Sequence, residues 1–177
     1  PHLLFYTRRQ HNQQGSANFA MSFLISKYIN SSEDADIALY KNLHFTPVSH
    51  IETNVCIAEG SKTVRKLLKS EIAIKSILCT EKYIDELQFY GDRLSEAKVL
   101  IAPKLLIDEI AGFKLHEGIM AIGAIPDGTP LELLGKQILA LHGIVNSENV
   151  GAIVRNAAAF GFDSIIYDSK TSSPYLR

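Results

Sequence analysis

Short apolar runs alternate with amphipathic stretches through the middle of the chain. The runs predict buried strands at Val55 to Ala58, Ile74 to Cys79, Lys98 to Ala102 and Gly118 to Ile125. Helices are predicted between these strands, beginning after Ser61, Thr80 and Pro103, because apolar residues recur there at helical spacing. This alternation of strand and helix predicts a small α/β sandwich over residues 48–126.

The first 47 residues carry a different pattern. Residues 1–15 are rich in Gln, Asn, Arg and His and show no apolar period, which predicts a loose arm. Apolar side chains then recur at helical spacing from Ala17 to Ile29, and a second, shorter helix is predicted from Asp36 to Leu43. Pro47 ends this pattern, so we expect residues 1–47 to form an arm and helices.

The run Pro126-Asp127-Gly128-Thr129-Pro130 is typical of a linker, and we place a domain boundary there. After it, strands are predicted at Ile138 to His142 and at Ser164 to Tyr167, with a helix from Val150 to Phe160 between them. Residues 131–177 are therefore predicted to form one βαβ unit, the N-terminal part of a second domain. Two strands and one helix are too little to bury a stable core alone.

Composition narrows the class of protein. A hydrophobic fraction of 46% with 21% charged residues is typical of a globular chain, and no apolar run is long enough to span a bilayer. The chain has no secretory pattern, so we expect a cytoplasmic protein. Cys56 and Cys79 form no C-x-x-C pair and have no histidine at metal-ligand spacing, so we expect two buried thiols and no metal site.

A net charge of -1 argues against a polybasic nucleic-acid binder, so any nucleic-acid contact must come from a local patch. One short stretch with no acid between its members supplies such a patch: Lys62, Arg65, Lys66 and Lys69. The alternatives are that these residues form a solvated helix face, or that contact comes from Arg8 and Arg9 in the arm.

The stretch from Asn149 to Gly161 holds the candidate chemistry. Asn149 is expected at a helix N-terminus, where an amide suits capping and exposed N–H groups favour an anion. Gly151 permits a close approach to the first turn. Arg155 is a permanent cation within an otherwise apolar helix, whose packing residues we expect to include Ala158 and Phe160. It fits either a surface arginine whose head reaches water or a phosphate-binding residue.

The pattern N-x-G-x-x-x-R-x-x-x-x-F-G, between two short strands, resembles the first signature motif of the SpoU/TrmH methyltransferases. Thr171 to Tyr175 is similar to the segment that follows it in that family. Upstream, Glu59-Gly60 and the run from His116 to Ala121 resemble the family's ribosomal-protein-like substrate-binding module. The likeness extends from about residue 50 to the end of the chain.

This resemblance implies methyl transfer from S-adenosylmethionine to a ribose 2′-hydroxyl of rRNA or tRNA, by an intact protein that is a homodimer. It implies that Arg155 is the catalytic arginine, which either helps to take the hydroxyl proton or fixes a nearby phosphate. Because a guanidinium is a very poor base, we favour the orienting role. Asn149 matches the motif asparagine beside the ribose, and residues 48–126 match the RNA-binding domain, with the basic stretch as its RNA-binding residues.

The chain departs from the family at two places. Asn146-Ser147 stands where many members have Asp-Pro, and the family's two later motifs, which form the knotted cofactor pocket, do not occur in the residues up to Arg177. We therefore expect this chain to contain only the start of a SpoU-type knotted methyltransferase domain. We expect no cofactor-binding residue in it, no bound S-adenosylmethionine and no activity, whereas the intact protein would have all three.

Two other functions remain open at this point. A non-catalytic RNA-binding or ribosome-associated protein would keep the front module and a degenerate second domain. A general nucleotide-binding α/β protein is disfavoured, because no G-x-x-x-x-G-K-[ST] occurs and no G-x-G-x-x-G follows a strand. His142, at the end of an apolar strand, is expected to be structural.

Overall fold

A computed structural model of the chain describes residues 4–7, 24, 26–41, 43 and 52–175. Eight strands and four α-helices lie within these residues. The strands are β1 (Leu4–Thr7), β2 (Ser26–Tyr28), β3 (Val55–Glu59), β4 (Ile74–Cys79), β5 (Lys98–Ile101), β6 (Ile119–Ala124), β7 (Ile138–Leu141) and β8 (Ser164–Tyr167). The helices are α1 (Ser61–Leu68), α2 (Ile84–Gln88), α3 (Lys104–Ala111) and α4 (Ser147–Ala159). Short 3₁₀ turns occupy Ala35–Tyr40, Glu81–Tyr83, Gly91–Leu94 and Leu131–Leu133.

The chain divides into two compact units. The first unit consists of Asn18–Ile125, and the second of Pro126–Leu176 together with Pro1–Ala17. The division falls at the first residue of the proline-rich run. Residues 1–47, which we expected to form one segment, are shared between the two units.

The first unit is built on a five-stranded sheet with the order β2-β5-β4-β6-β3. Strands β2, β5 and β4 are parallel, whereas β6 runs antiparallel to both β4 and β3. Alternate strand residues point to opposite faces, so Ile77 and Leu78 belong to separate buried clusters. One cluster includes Ile107 of α3 and the other Leu67 of α1, so helices cover both faces of the sheet.

The predicted α/β fold class is confirmed, and the four strands and the helices of residues 48–126 lie where the pattern placed them. Pro103 precedes α3, and Gly112 ends it with a φ of 83°. The left-handed region suits glycine at a helix C-terminus, which is why this boundary could be read from the sequence.

The predictions for the N-terminal residues were partly wrong. Ser26–Tyr28, predicted as helix, is strand β2, because it pairs in parallel with Val99–Ile101 and its hydrogen bonds are those of a sheet. Pairing with β5 at the edge of the sheet outweighs a local helical period in so short a segment. Leu4–Thr7, predicted as part of a loose arm, is strand β1. The predicted second helix is the 3₁₀ turn at Ala35–Tyr40; the rest of these predictions, and Pro47, fall outside the described residues.

The second unit contains a three-stranded sheet with the order β1-β8-β7. β7 and β8 are parallel and joined by α4, as the predicted βαβ unit requires, and β1 runs antiparallel to β8. Val150 of α4 is fully buried against Leu141 and Tyr167 at the carboxyl ends of the parallel strands. Among the residues that the structure describes, no helix has the length and apolarity to cross a membrane.

Candidate functional site

Helix α4 begins earlier than predicted. The side chain of Asn146, not that of Asn149, caps it by accepting a hydrogen bond from the backbone N–H of Asn149 at 3.0 Å. Asparagine is a strong N-cap residue, and Ser147-Glu148 then fills the first turn, where an acidic side chain suits the helix dipole. Asn149 is therefore an exposed residue of the first turn, with its side chain available to a ligand and not required for capping.

The packing of α4 explains why Arg155 stands among apolar residues. Val150, Ile153, Val154 and Ala157 recur at helical spacing and face the sheet, while Arg155 lies on the exposed side. We also expected Ala158 and Phe160 to pack, which was wrong: Ala158 is exposed, and 80% of Phe160 is accessible because it follows the last turn on the outer side.

Arg155 and Gly151 lie on the same side of α4, one turn apart. A Cβ atom on Gly151 would lie 3.6 Å from Nη1 of Arg155, so the guanidinium extends back along the helix towards its N-terminus. Asn149 is six residues before Arg155, which corresponds to about 9 Å along the axis and about 120° around it. The structure thus places both candidate side chains at the surface near the start of α4, but on different faces.

The loops after β7 and β8 are joined by the carboxylate of Asp168. It accepts hydrogen bonds from the backbone N–H groups of Gly143 at 3.1 Å and Thr171 at 3.0 Å, and from the Thr171 hydroxyl at 2.7 Å. These bonds, led by that of the hydroxyl, lower the pKa of Asp168 to about 2. Nδ1 of His142 lies 2.8 Å from the same carboxylate, and 84% of the histidine side chain is exposed. We call these four residues the Asp168 network.

The segment after β8 is fixed against the loop that leads into α4. Thr171 Oγ1 accepts a hydrogen bond from the N–H of Ile144 at 3.2 Å, and the N–H of Ser172 donates to Ile144 O at 2.8 Å. The hydroxyl of Ser172 also donates to the carbonyl of Val145. These contacts lie at the carboxyl edge of the parallel strands, where open α/β sheets commonly bind ligands. Asp168 was not predicted as a site residue; its signal in the sequence was an Asp directly after a strand, followed three residues later by Thr.

The three basic side chains of α1 and that of Lys69, which caps its C-terminus, are exposed, opposite the buried Val64, Leu67 and Leu68. We call Lys62, Arg65, Lys66 and Lys69 the basic stripe. Arg65 is paired across helices: its Nε lies 2.5 Å from Oε1 of Glu86, and its Nη2 lies 2.8 Å from Oε2. The stretch itself contains no acidic residue, yet Arg65 is paired, because its partner Glu86 comes from the next helix.

The start of α1 is tied to the loop before β6. Gly60 has a φ of 80° and no side chain to cap the helix, and the carboxylate of Glu117 accepts from the N–H of Ser61 instead. Hydrogen bonds from the side chain and then the backbone of Ser61 lower the pKa of Glu117. A cavity of about 240 Å³ lies here beside Lys62, between Gly60 and His116. The two segments singled out by resemblance, Glu59-Gly60 and His116 to Ala121, thus meet in space.

Metal and thiol chemistry find no support in the described residues. No group of three His, Cys, Asp or Glu side chains among them could hold a metal ion. Cys56 and Cys79 are buried free thiols, as predicted, and burial raises the pKa of Cys79 to about 12. Such thiols are poor nucleophiles at neutral pH.

Comparison with known proteins finds relatives among RNA methyltransferases. The chain is 27% identical over 126 residues to an uncharacterized tRNA/rRNA methyltransferase of Mycobacterium tuberculosis, a match covering 68% of this chain and 43% of the relative. It is 23% identical over 151 residues to the 23S rRNA (guanosine(2553)-2′-O)-methyltransferase RlmP of Bacillus subtilis, covering 84% of this chain and 57% of that protein. The chain thus spans about half the length of these relatives. No family model matches it.

Solved structures share the fold. The AdoMet-bound rRNA methyltransferase of Sinorhizobium meliloti superposes with a TM-score of 0.69 at 22% identity, over 85% of this chain and 57% of that one. An RNA methyltransferase of the TrmH family from Porphyromonas gingivalis superposes with a TM-score of 0.61 at 19% identity, over 80% and 55%. The resemblance predicted from the motif around Asn149 and Arg155 is therefore confirmed: in sequence and in fold, this chain is similar to the SpoU/TrmH RNA methyltransferases.

Proposed function

We propose that the intact protein methylates a ribose 2′-hydroxyl of rRNA or tRNA with S-adenosylmethionine as methyl donor. The observation that carries this proposal is the placement of Asn149 and Arg155, both exposed, and of the half-buried Gly151 on one helix between two parallel strands. The fold around them is shared with rRNA methyltransferases, and the sequence relatives are RNA methyltransferases by name. These relatives favour the enzyme over a non-catalytic RNA-binding or ribosome-associated protein.

Arg155 is proposed as a catalytic residue that fixes a phosphate beside the reactive ribose. A guanidinium stays charged at any physiological pH, so it cannot serve well as the base for a hydroxyl proton. Asn149 is proposed to contact the ribose itself. Because the two side chains lie about 9 Å apart along the helix and on different faces, they are proposed to contact different parts of the RNA around the reactive ribose. Such contacts accelerate transfer by positioning, because a weak hydroxyl nucleophile must be held in line with the methyl group.

The cofactor pocket proposed for the intact protein must hold a ligand of the size of S-adenosylmethionine. A cavity of about 230 Å³ beside α4 is lined by Val154, Ala157 and Phe162 and lies at the amino end of β8, away from the Asp168 network. Pockets for ligands of this size run to about 300–1,000 Å³. The expectation that this chain alone binds no cofactor stays a prediction, which calorimetric titration tests: a saturable signal with the 177-residue chain would contradict it.

RNA is proposed to contact the first unit through the basic stripe. Phosphate contacts supply affinity that does not depend on sequence and that falls with salt. We also propose that the intact protein is a homodimer, which light scattering of the purified protein would test. The two buried free thiols fit a reducing compartment such as the cytoplasm, where we place the protein.

The decisive experiment compares Arg155→Ala with the wild type in the intact protein. Methyl transfer from labelled S-adenosylmethionine to total rRNA and tRNA should be abolished, while most RNA affinity remains, because Arg155 acts at one ribose. Lys136→Ala, which removes an exposed cation from the same unit, should leave transfer unchanged. Transfer at the wild-type rate in Arg155→Ala would reject the catalytic assignment, and no transfer by the wild type to any RNA would reject the proposed function.

A further inference from the structure

The first unit contains a cleft of about 640 Å³ that the proposed function does not use. This volume falls within the range of small-molecule and nucleotide sites. Residues from several strand ends and loops line it, among them Tyr28, Asn30, Thr80, Glu81, Lys82 and Lys104.

The topology of the sheet explains why a cleft forms at this place. Tyr28 ends β2, Thr80 follows β4 and Ala102 follows β5, and these three strands are parallel. Glu117 lies just before β6, which runs in the opposite direction. The cleft therefore lies at the carboxyl edge of the parallel part of the sheet, the edge at which α/β proteins bind ligands.

Tyr28 offers an aromatic surface at this edge. Although it belongs to a strand, 59% of the residue is exposed. Its hydroxyl donates a hydrogen bond of 3.0 Å to the carboxylate of Glu81 across the cleft. A fixed, exposed ring loses little further freedom when a base stacks on it, and stacking on aromatic side chains is how unpaired nucleotides are held.

The charges at the cleft suit one phosphate better than several. Lys82 and Lys104 bring two ammonium groups, and Lys104 is already paired with Asp108 at 2.6 Å. Glu81 and Glu117 bring two carboxylates to the same lining. These four charges cancel, so a di- or triphosphate would meet no net positive charge here, whereas a nucleotide within a chain brings a single phosphate for Lys82.

Hydrogen-bonding groups for a base are also present. The Asn30 amide can donate or accept at a base edge, and the Glu81 carboxylate can accept there. The hydroxyl of Thr80 is buried and has no hydrogen-bond partner among the described residues.

We propose that this cleft holds one unstacked nucleotide from a single-stranded stretch of the RNA substrate, with its base on Tyr28 and its phosphate at Lys82. This inference rests on the proposed function for RNA as the partner. The cleft would then bind an unpaired part of the substrate, whereas the basic stripe would contact phosphates of paired and unpaired RNA alike.

Binding of two RNAs by the 177-residue chain tests the inference. One is a fluorescent hairpin with an unpaired loop, and the other is a fully paired duplex of equal charge. Tyr28→Ala should weaken hairpin binding by about five-fold or more and leave duplex binding unchanged, while Tyr28→Phe keeps most of the affinity. Phe89→Ala is the matched control, because Phe89 is an aromatic residue of the same unit that is 75% exposed and does not line the cleft.

Photo-crosslinking provides a measurement that needs no substitution. A hairpin with 5-iodouridine in its loop should crosslink to the peptide that contains Tyr28, and free uridine monophosphate should compete only weakly. A crosslink confined to other peptides would overturn the inference. Competition by the mononucleotide at the concentration of the RNA would also overturn it, because the cleft would then be a small-molecule site.

The outcomes separate this inference from the proposed function. If the wild-type chain binds the hairpin and Tyr28→Ala binds it equally well, the cleft assignment fails and methyl transfer is untouched. An equal loss for hairpin and duplex likewise overturns the cleft assignment. If the wild-type chain binds neither RNA, both the cleft assignment and the RNA contact proposed for the first unit are wrong.

Discussion

Arg65 and Glu86 form a two-point ion pair between helices α1 and α2, with nitrogen–oxygen distances of 2.5 and 2.8 Å. The carboxylate raises the pKa of Arg65, and the guanidinium lowers that of Glu86. Both side chains are partly exposed, so the pair adds little to stability. Its main effect is to neutralise one of the four cations of the basic stripe.

Glu86→Gln should therefore strengthen RNA binding and make it more sensitive to salt, because it releases Arg65 for phosphate contact. Arg65→Ala with Lys66→Ala should do the opposite. The slope of log K against log[salt] should flatten by roughly 0.7–0.9 for each phosphate that the variant no longer neutralises. Filter binding at several salt concentrations measures both effects.

Lys75→Ala with Lys114→Ala is the control for this charge change, since both lysines are exposed residues of the first unit outside the stripe. Unchanged RNA affinity and salt slope in the Arg65/Lys66 double variant would refute the proposal that the basic stripe contacts RNA. Arg8→Ala with Arg9→Ala then tests the arm. Deleting residues 1–15 is a poorer test, because it would also remove β1 from its sheet.

Asp168→Asn should lower the stability of the second unit at neutral pH. The folded-state pKa of Asp168 is about 2, below the ordinary value of 3.8, so the ionised carboxylate is stabilised by folding. This contribution is complete above the unfolded pKa and disappears as pH falls from about 5 towards 2. Melting temperatures of wild type and variant should therefore differ at pH 7 and converge near pH 2; a difference independent of pH would contradict this.

Thr171→Val should destabilise the second unit by about 1–3 kcal/mol. Thr171 is buried, and its hydroxyl both donates to Asp168 and accepts from the N–H of Ile144. Valine keeps the shape but leaves that N–H without its partner. Thr171→Ser retains the hydroxyl and should restore most of the stability in urea denaturation. Equal destabilisation in both variants would mean that the methyl group matters and the hydrogen bonds do not.

Gly151→Ala separates stability from activity. A Cβ here meets only ordinary contact with Arg155, and alanine favours a helix interior over glycine by about 0.5–1 kcal/mol. The variant should therefore be slightly more stable in thermal melts. If substrate approaches this turn closely, methyl transfer by the intact variant should fall nonetheless. Full activity would show that Gly151 is not needed for ligand approach.

The sequence predicted elements whose signals are local. Ile74–Cys79 and Ser164–Tyr167 were placed correctly because each is an apolar run between polar turns, and α3 because Pro103 and Gly112 mark its ends. Helix α4 was found, but its start was misplaced, because Asn146 and Asn149 are equally good caps on composition alone.

The features that the sequence did not predict depend on contacts between residues that are distant in sequence. Ser26–Tyr28 is a strand only because Val99–Ile101 lies beside it. The pairing of Arg65 with Glu86 and of Asp168 with Gly143 joins separate elements, and no local pattern indicates either. For the same reason the cleft beside Tyr28 could not be predicted, since its lining comes from the ends of three parallel strands and from the loop before β6.

The antiparallel pairing of β1 with β8 makes the second unit discontinuous along the chain. Its first strand leaves the ribosome before the whole of Asn18–Ile125, and its partner strand leaves afterwards. Closing so long a loop costs entropy that local pairing does not, so we expect β7, α4 and β8 to associate first and β1 to join last. During synthesis, we therefore expect β1 to stay without its partner strand until Asn18–Ile125 and then β8 have been made.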